Sequence, residues 1–349
     1  MPINKRGIMK KQNIIVLTDP NKDQDDLICL IMLNTLQKEG VLCCKGVIAT
    51  HGDNKTVLKR AKYISGISNY LDAGFPVCCG RGKTKTHYSD NKFFMNNEVK
   101  KILKFADKKS ISKDSIKFLK NIFDEAEDKS LDLLIIADMT DIADFIKLYP
   151  ELFLLKIRTV NIMGGLILEK GENYLEIDKT CANNAHDLVA AKYFHDFLKT
   201  HKIKASVINR VAATQTAVSP QFYKDFDKFD NLVLHHASQF WKNQFAELNF
   251  ITLKGKSSKH RTLDWILKTF TNVPENEWDT YRKMPKNMKT AKVLTELVTK
   301  LNLYDPLTLI AAIDKYKSEF RVEKHGVFDF KYAKSKEEMH KIFDSLMRL

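Results

Sequence analysis

The stretch Ile14-Ile15-Val16-Leu17-Thr18-Asp19-Pro20-Asn21-Lys22-Asp23-Gln24-Asp25-Asp26-Leu27, continued by the apolar run Ile28 to Leu33, decides the fold. Its first four residues are an apolar, largely β-branched run of strand length, and the apolar positions from Leu27 to Leu36 suit a buried helix. A strand feeding a helix through a short loop opens a βαβ unit. In sheets built from such units the working residues lie in the loops just past the carboxyl ends of the strands. Here that loop carries four carboxylates within eight residues, Asp19, Asp23, Asp25 and Asp26. Carboxylates this close raise one another's pKa unless a cation joins them, and a hard divalent ion with oxygen ligands is the natural partner. Acidic capping of the helix would account for Asp25 and Asp26 but leaves Asp19 and Asp23 without a reason. An EF-hand is excluded, because the twelfth position counted from Asp19 is Leu30 and from Asp23 is Asn34, so no glutamate closes the loop.

Outward from this segment the pattern repeats. Apolar runs at Val41–Ala49, Leu131–Ala137, Leu155–Met163 and Ile203–Ile208 alternate with helical periodicities such as Val57–Leu71 and Asp187–Leu198. The expectation is an α/β fold of Rossmann-like type, with a mostly parallel central sheet flanked by helices. From about 220 to 300 the texture changes to dense aromatics with one strand signal, the short apolar stretch Asn249–Leu253, which suggests a mainly helical cap inserted into a single domain of 349 residues. Ser335 to Glu338 is a capping box, and Met339, Ile342, Phe343, Leu346 and Met347 follow at helical spacing, predicting a C-terminal helix over 335–349.

Composition removes several classes. A chain 44% hydrophobic and 29% charged is neither fibrous nor wholly disordered, and no run approaches the roughly 18 residues of a membrane span. The basic N-terminus is followed only by the short run Ile14–Leu17, which reads as a strand and not as a signal peptide. The net charge of +14 comes from lysines spread along the chain, the tract Lys254 to Arg261 being the longest cluster, and no nucleic-acid-binding signature accompanies it. Six cysteines, none at C-x-x-C spacing, argue against zinc and suit reduced thiols in the cytoplasm.

At this point the sequence resembles the calcium-dependent nucleoside hydrolases, also called inosine-uridine preferring nucleosidases. The acidic loop ending in Asp25-Asp26 is similar to the family's first-strand signature with two extra residues. Gly46-Val-Ile-Ala-Thr-His-Gly52-Asp53-Asn54, with Arg60-Ala61 on the next helix, resembles the second-strand motif. Ala137-Asp-Met-Thr140-Asp-Ile-Ala143 is similar to a loop that normally reads Gly-Pro-Leu-Thr-Asn-Ile-Ala. Val160-Asn-Ile-Met163-Gly164-Gly165 and Asn183-Asn184-Ala-His-Asp187-Leu-Val-Ala190-Ala191 look like the next two, and Tyr304-Asp305-Pro306-Leu307 resembles the late His-Asp motif. Each motif alone is weak; six in order, over about 13–315, are specific.

The resemblance implies hydrolysis of a nucleoside to free base and ribose, with purine nucleosides favoured, and a homodimer or homotetramer. It implies Ca²⁺ held by the side chains of Asp19, Asp26 and Asp305 and the main-chain carbonyl of Thr140, with ribose hydroxyls and a water completing the shell. Asp19 would take the proton of that water. Asp25, Asn183 and Asp53 or Asn54 would hold the ribose, and Met163 would lie against the sugar. The chemistry is coherent, because glycoside cleavage passes through an oxocarbenium-like state and needs an activated water on one face, and a carboxylate is a competent base for it.

The chain departs from the pattern at named places. Asp23 is extra, Lys22 replaces a glycine, and Asp53 and Asp141 replace asparagines. Cys181 stands where a glutamate is frequent, with Asp178 or Glu176 as acidic substitutes nearby. Tyr304 replaces the histidine that some members use to protonate the base, and a phenol is a poorer acid at neutral pH. Purine-preferring members stack the base on aromatic rings instead, and Trp241 and Trp265 are the candidates, with His87-Tyr88 and Phe93-Phe94 in a loop that could cover the site. His51 and His186 sit beside motif positions; His235-His236 has no ligand-spaced partner. The alternative to an enzyme is a catalytically inactive relative that keeps the ion and binds a ligand or protein.

Overall fold

The computed structural model describes residues 11–21, 23–84, 93–168, 175–257 and 261–348. The chain forms two compact units, one made of Met1–Asn21, Asp25–Gln215 and Tyr304–Leu349, the other of Lys22–Gln24 and Thr216–Leu303.

The first unit is built on an eight-stranded sheet. Its strands are β1 (Gln12–Thr18), β2 (Leu42–Ala49), β3 (Val77–Cys79), β4 (Leu131–Ile135), β5 (Ile157–Met163), β8 (Ala205–Ile208), β9 (Phe320–His325) and β10 (Phe328–Ala333), while β6 (Leu166–Leu168) and β7 (Leu175–Ile177) form a separate antiparallel pair. The spatial order is β3-β2-β1-β4-β5-β8-β10-β9, parallel except for the β9–β10 pair. Ile14, Ile15, Val16 and Leu17 are wholly buried, as a continuous apolar run must be when both faces of its strand are covered.

The chain runs from β1 outward to β2 and β3, then returns to β4 on the other side of β1. The direction of winding therefore reverses between β1 and β4, the place beyond whose carboxyl ends such sheets bind their ligands. Over that edge begins helix α1 (Asp25–Lys38), which is buried on all sides from Asp25 to Leu36, as an all-apolar helix should be. It packs against the helices Tyr304–Ala312 and Lys336–Leu346. The latter is the expected C-terminal helix, with Ser335 accepting from the Glu338 N–H as its cap. Helix α2 (Asn54–Tyr70) follows β2, N-capped by the Asp53 carboxylate, which accepts from Thr56 N–H at 2.8 Å.

The strand runs read from the sequence include none of β3, β6, β7, β9 and β10. β3 is three residues long, and β9 is an edge strand whose charged Arg321, Glu323 and Lys324 are exposed, the composition that protects sheet edges. The run expected as a strand from Leu155 begins two residues later, because Leu155 and Lys156 close the helix Pro150–Lys156. All six cysteines are free thiols.

The second unit is helical, with Leu232–Leu253 its longest element and Leu263–Phe270, Trp278–Arg282 and Met288–Glu296 packed around Leu253, Leu267, Trp278, Ala291 and Leu294. The strand expected at Asn249–Leu253 is instead the last turn of the long helix. Burial overrides the β-propensity of Ile251-Thr252: Asn249 is enclosed, its amide donating to the Ala291 carbonyl and to Thr295 Oγ1 at 3.2 and 3.0 Å. Among the described residues no helix is long and apolar enough to cross a membrane.

Candidate active site

Four parallel strands, β2, β1, β4 and β5, end at one edge, and each delivers a motif residue there. β1 ends at Thr18, so Asp19 is the first residue past its carboxyl end. The Asp26 carboxylate folds back over that strand end, with Oδ1 accepting from the Thr18 hydroxyl and, at 3.1 Å, from the Asp19 N–H. Packing of α1 on the helix Tyr304–Ala312 brings in Asp305, nearly three hundred residues away in sequence. Carboxylate oxygens of Asp25, Asp26 and Asp305 lie within 4.8 Å of one another, all three buried.

Three buried carboxylates offering only oxygen are the donor set of a hard divalent cation, and without a cation their mutual repulsion is a cost. The residues therefore fit the ion that sequence analysis implies. Asp19 falls in a second cluster: its carboxylate lies within 4.8 Å of ring nitrogens of His51 and His186, whose imidazoles stack at 3.7 Å. His51 stands in left-handed backbone (φ 61°), an uncommon conformation for a non-glycine residue. It is held by Thr84 Oγ1 at 3.0 Å from its Nδ1 and by Asp138, whose Oδ2 lies 3.5 Å from the same nitrogen.

Past β4, Asp138 is fully enclosed. Burial pushes its carboxyl up, but hydrogen bonds from His51 and from the Thr140 N–H outweigh this and hold it below the usual range. Thr140 opens the helix Thr140–Leu148, and its hydroxyl donates to Asp187 at 2.8 Å. Asp141, where the family pattern has asparagine, has its carboxyl pushed up to about 6 by burial and by Asp138 nearby, despite hydrogen bonds from Ser115 and the Arg81 N–H.

β5 ends at Met163, and the chain turns through Gly164 and Gly165 at φ 71° and 98°, conformations only glycine adopts freely. The turn presents the Gly165 carbonyl to the Asn184 amide at 2.8 Å, which seats the short helix Ala182–His186. Asn183 consequently lies with its amide 4.0 Å from the Met163 sulfur, so two residues expected at the sugar are neighbours. Cys181, at the position of the frequent glutamate, packs its sulfur under Gly164. Asp53 and Asn54 are exposed, with Asp53 engaged as the α2 cap. Tyr304 is half-buried at the start of the helix that carries Asp305.

Asp23 belongs to the second unit and accepts from Gln244 Nε2 at 2.5 Å. Trp241 is buried inside that unit between Tyr223 and Phe245, and Trp265 lies edge-on to Phe270 beneath Arg261. Phe93 and Phe94 are buried edge-on against Tyr63, hence packing; His87 and Tyr88 lie outside the described residues. His235 meets Asp227 on the surface of its helix.

One residue that sequence analysis left without a role is Arg60. Its side chain is wholly buried, Nη1 donates to the Thr50 carbonyl at 3.1 Å and to the His51 carbonyl, and Nη2 stands 3.8 Å from Asp19 Oδ2. The signal was available: Arg60 falls between Val57 and Ile64 on the apolar face of α2, where a charge is out of pattern.

Comparison with known proteins places the chain. It matches the family model of the inosine-uridine preferring nucleoside hydrolases over residues 14–342. Among curated proteins none matches it in sequence. Among solved structures it resembles the type III effector protein XopQ complexed with adenosine diphosphate ribose, at 23% identity and a TM-score of 0.81, covering 97% of this chain and 92% of that one. It also resembles a plant nucleoside hydrolase, at 15% and 0.62 over 97% and 99%. A purine-preferring ribonucleoside hydrolase from Gardnerella vaginalis gives 13% and 0.64 over 96% and 98%. At these identities the likeness establishes the shared fold.

Proposed function

The chain belongs to the inosine-uridine preferring nucleoside hydrolase family, and from that premise we propose that it hydrolyses the N-glycosidic bond of nucleosides, purine nucleosides first, with Ca²⁺ as its cofactor. The observation that carries the reading is the convergence of buried Asp25, Asp26 and Asp305 beside Asp19 at the point where the sheet reverses its winding.

Asp26 and Asp305, with Asp19 and the Thr140 carbonyl, would hold the ion, and Asp25 shares their carboxylate cluster. When bound, such an ion acts as a Lewis acid that orients the ribose diol and makes water more acidic. The remaining roles belong to the chain. Asp19 accepts the proton of the attacking water on its carboxylate. Asp25 and Asn183 bind the ribose hydroxyls, with Asp53 or Asn54 at the rim, and Met163 lies against the sugar. The surrounding carboxylates stabilise the positive charge that develops on the ribosyl ring. Tyr304 occupies the place of an acid but is a weak one, so departure of the base depends on its own basicity, and a purine, protonated at N7, is the better leaving group. Residues 220–300 are read as a helical cap region, and the assembly as a homodimer or homotetramer.

The test is release of free ribose from a panel of nucleosides, with and without a calcium chelator. Ribose released from inosine faster than from uridine, and lost with the chelator, is expected; a kcat/KM ratio for inosine over uridine at or below one refutes the purine preference. A second reading, a ligand-binding relative without turnover, is favoured by the fold likeness to XopQ, a structure that holds adenosine diphosphate ribose. It would appear as a thermal shift with adenosine diphosphate ribose and no ribose released from any nucleoside.

A further inference from the structure

The buried Arg60 has no counterpart in the roles above, and its geometry serves more than the packing of α2. A guanidinium taken fully out of water is costly unless its donors and its charge are met. Two successive main-chain carbonyls, of Thr50 and His51, converge on the same Nη1, fixing the head at the end of β2. The other terminal nitrogen is thereby directed to the edge of β1, where it stands 3.8 Å from Asp19 Oδ2. That is ion-pair range and longer than a hydrogen bond, so the charge is felt at the carboxylate.

We propose that Arg60 is a built-in counter-cation for Asp19, a positioning residue whose fixed charge faces this carboxylate without a divalent ion and so weakens the site's affinity for Ca²⁺. The inference rests on the reading that the acidic cluster takes Ca²⁺. Beside four carboxylates gathered at one sheet edge, a fixed positive charge offsets part of the potential that would draw in a cation. It acts on Asp19 first, being directed at it by main-chain atoms that cannot rotate away.

A purely structural staple and a counter-cation make opposite predictions for one quantity, the calcium dissociation constant. It is measured by titration calorimetry on the full chain for the wild type, Arg60→Gln and Arg60→Lys. Gln keeps an amide donor for the Thr50 or His51 carbonyl and removes the charge; Lys keeps the charge and loses the fork. The counter-cation role predicts calcium binding at least about tenfold tighter in Arg60→Gln, equivalent to about 1.4 kcal/mol, with Arg60→Lys close to the wild type. It also predicts a larger rise in Tm on adding calcium to Arg60→Gln than to the wild type. Binding that is unchanged or weaker in Arg60→Gln overturns the role and leaves calcium as the cofactor; no calcium binding by any of the three overturns both. Should Arg60→Gln fail to fold, the wild type decides alone. A dissociation constant of about 10⁻⁴ M or weaker supports the role, and a submicromolar one, typical of a fully charged site, overturns it.

Discussion

Asp19 sits one residue past a buried strand, and the proposed function sets three demands on its single carboxylate: base for the water, share in a cation, and partner for Arg60. An amide of the same size can serve none of them fully. Asp19→Asn is therefore expected to lose at least about 10²-fold in kcat, the lower end of a general base's contribution, while circular dichroism stays native; retention of more than about a tenth of the activity would show that another group is the base. Asp305 poses the complementary question. It is one of three mutually close buried carboxylates, and each charge removed from such a crowd relieves repulsion when no cation is present. Asp305→Asn should then melt above the wild type in chelator and below it in saturating calcium. A variant that melts lower in both conditions would mean that the cluster is not held apart by charge.

At the scale of elements, α2 carries both the Asp19 counter-charge and the close packing that fixes it. Gly66 lies where α2 meets the helix Asn97–Leu103, and a Cβ there would run into the Ile102 carbonyl oxygen. Alanine gains about 1 kcal/mol of helix propensity over glycine, yet forcing a methyl into a packed contact costs about 1–3 kcal/mol, and here the obstacle is main chain that cannot swing aside. Gly66→Ala is expected to lower Tm and, by displacing α2, to weaken activity as well; an unchanged or raised Tm would mean that the two helices separate at little cost. The helix Leu232–Leu253 shows the limit of reading elements from propensity. Its last turn holds β-branched residues and reads as extended, but burying Asn249 and Leu253 against neighbouring helices decides the matter. In contrast, β1 and α1 are legible because their apolar pattern and their burial agree.

For the whole molecule, stability against pH follows from two buried basic groups, His195 and Lys331. His195 is wholly enclosed against Phe194 and Phe328, and burial, with a smaller contribution from Lys199, holds its pKa down at about 3 against 6.5 when exposed. The unfolded chain therefore binds this proton first, and stability present above pH 6.5 is lost as pH falls toward 3, at up to about 1.4 kcal/mol per pH unit. His195→Phe should flatten the acid limb of a Tm–pH curve; an unaltered limb would refute the assignment. Lys331 on β10 is the same case at higher pH: burial lowers its pKa to about 8 from 10.5 while its ammonium donates to the Ala311 carbonyl. The folded chain sheds that proton first, so stability gains between pH 8 and 10.5, a gain that Lys331→Met should abolish. The sequence by itself determined the parallel sheet and the loop that gathers the carboxylates, with its all-oxygen donor class, because strand runs and clustered carboxylates are properties of neighbours in the chain. Only the tertiary structure decided that Asp305 joins Asp25 and Asp26, that Asp19 stands with His51 and His186, and that Arg60 is turned inward to face it. Those meetings are made by α1 packing on the helix Tyr304–Ala312 and by the burial of α2, and apolar burial, being non-directional, leaves no mark in the local sequence of which distant side chains it will bring together.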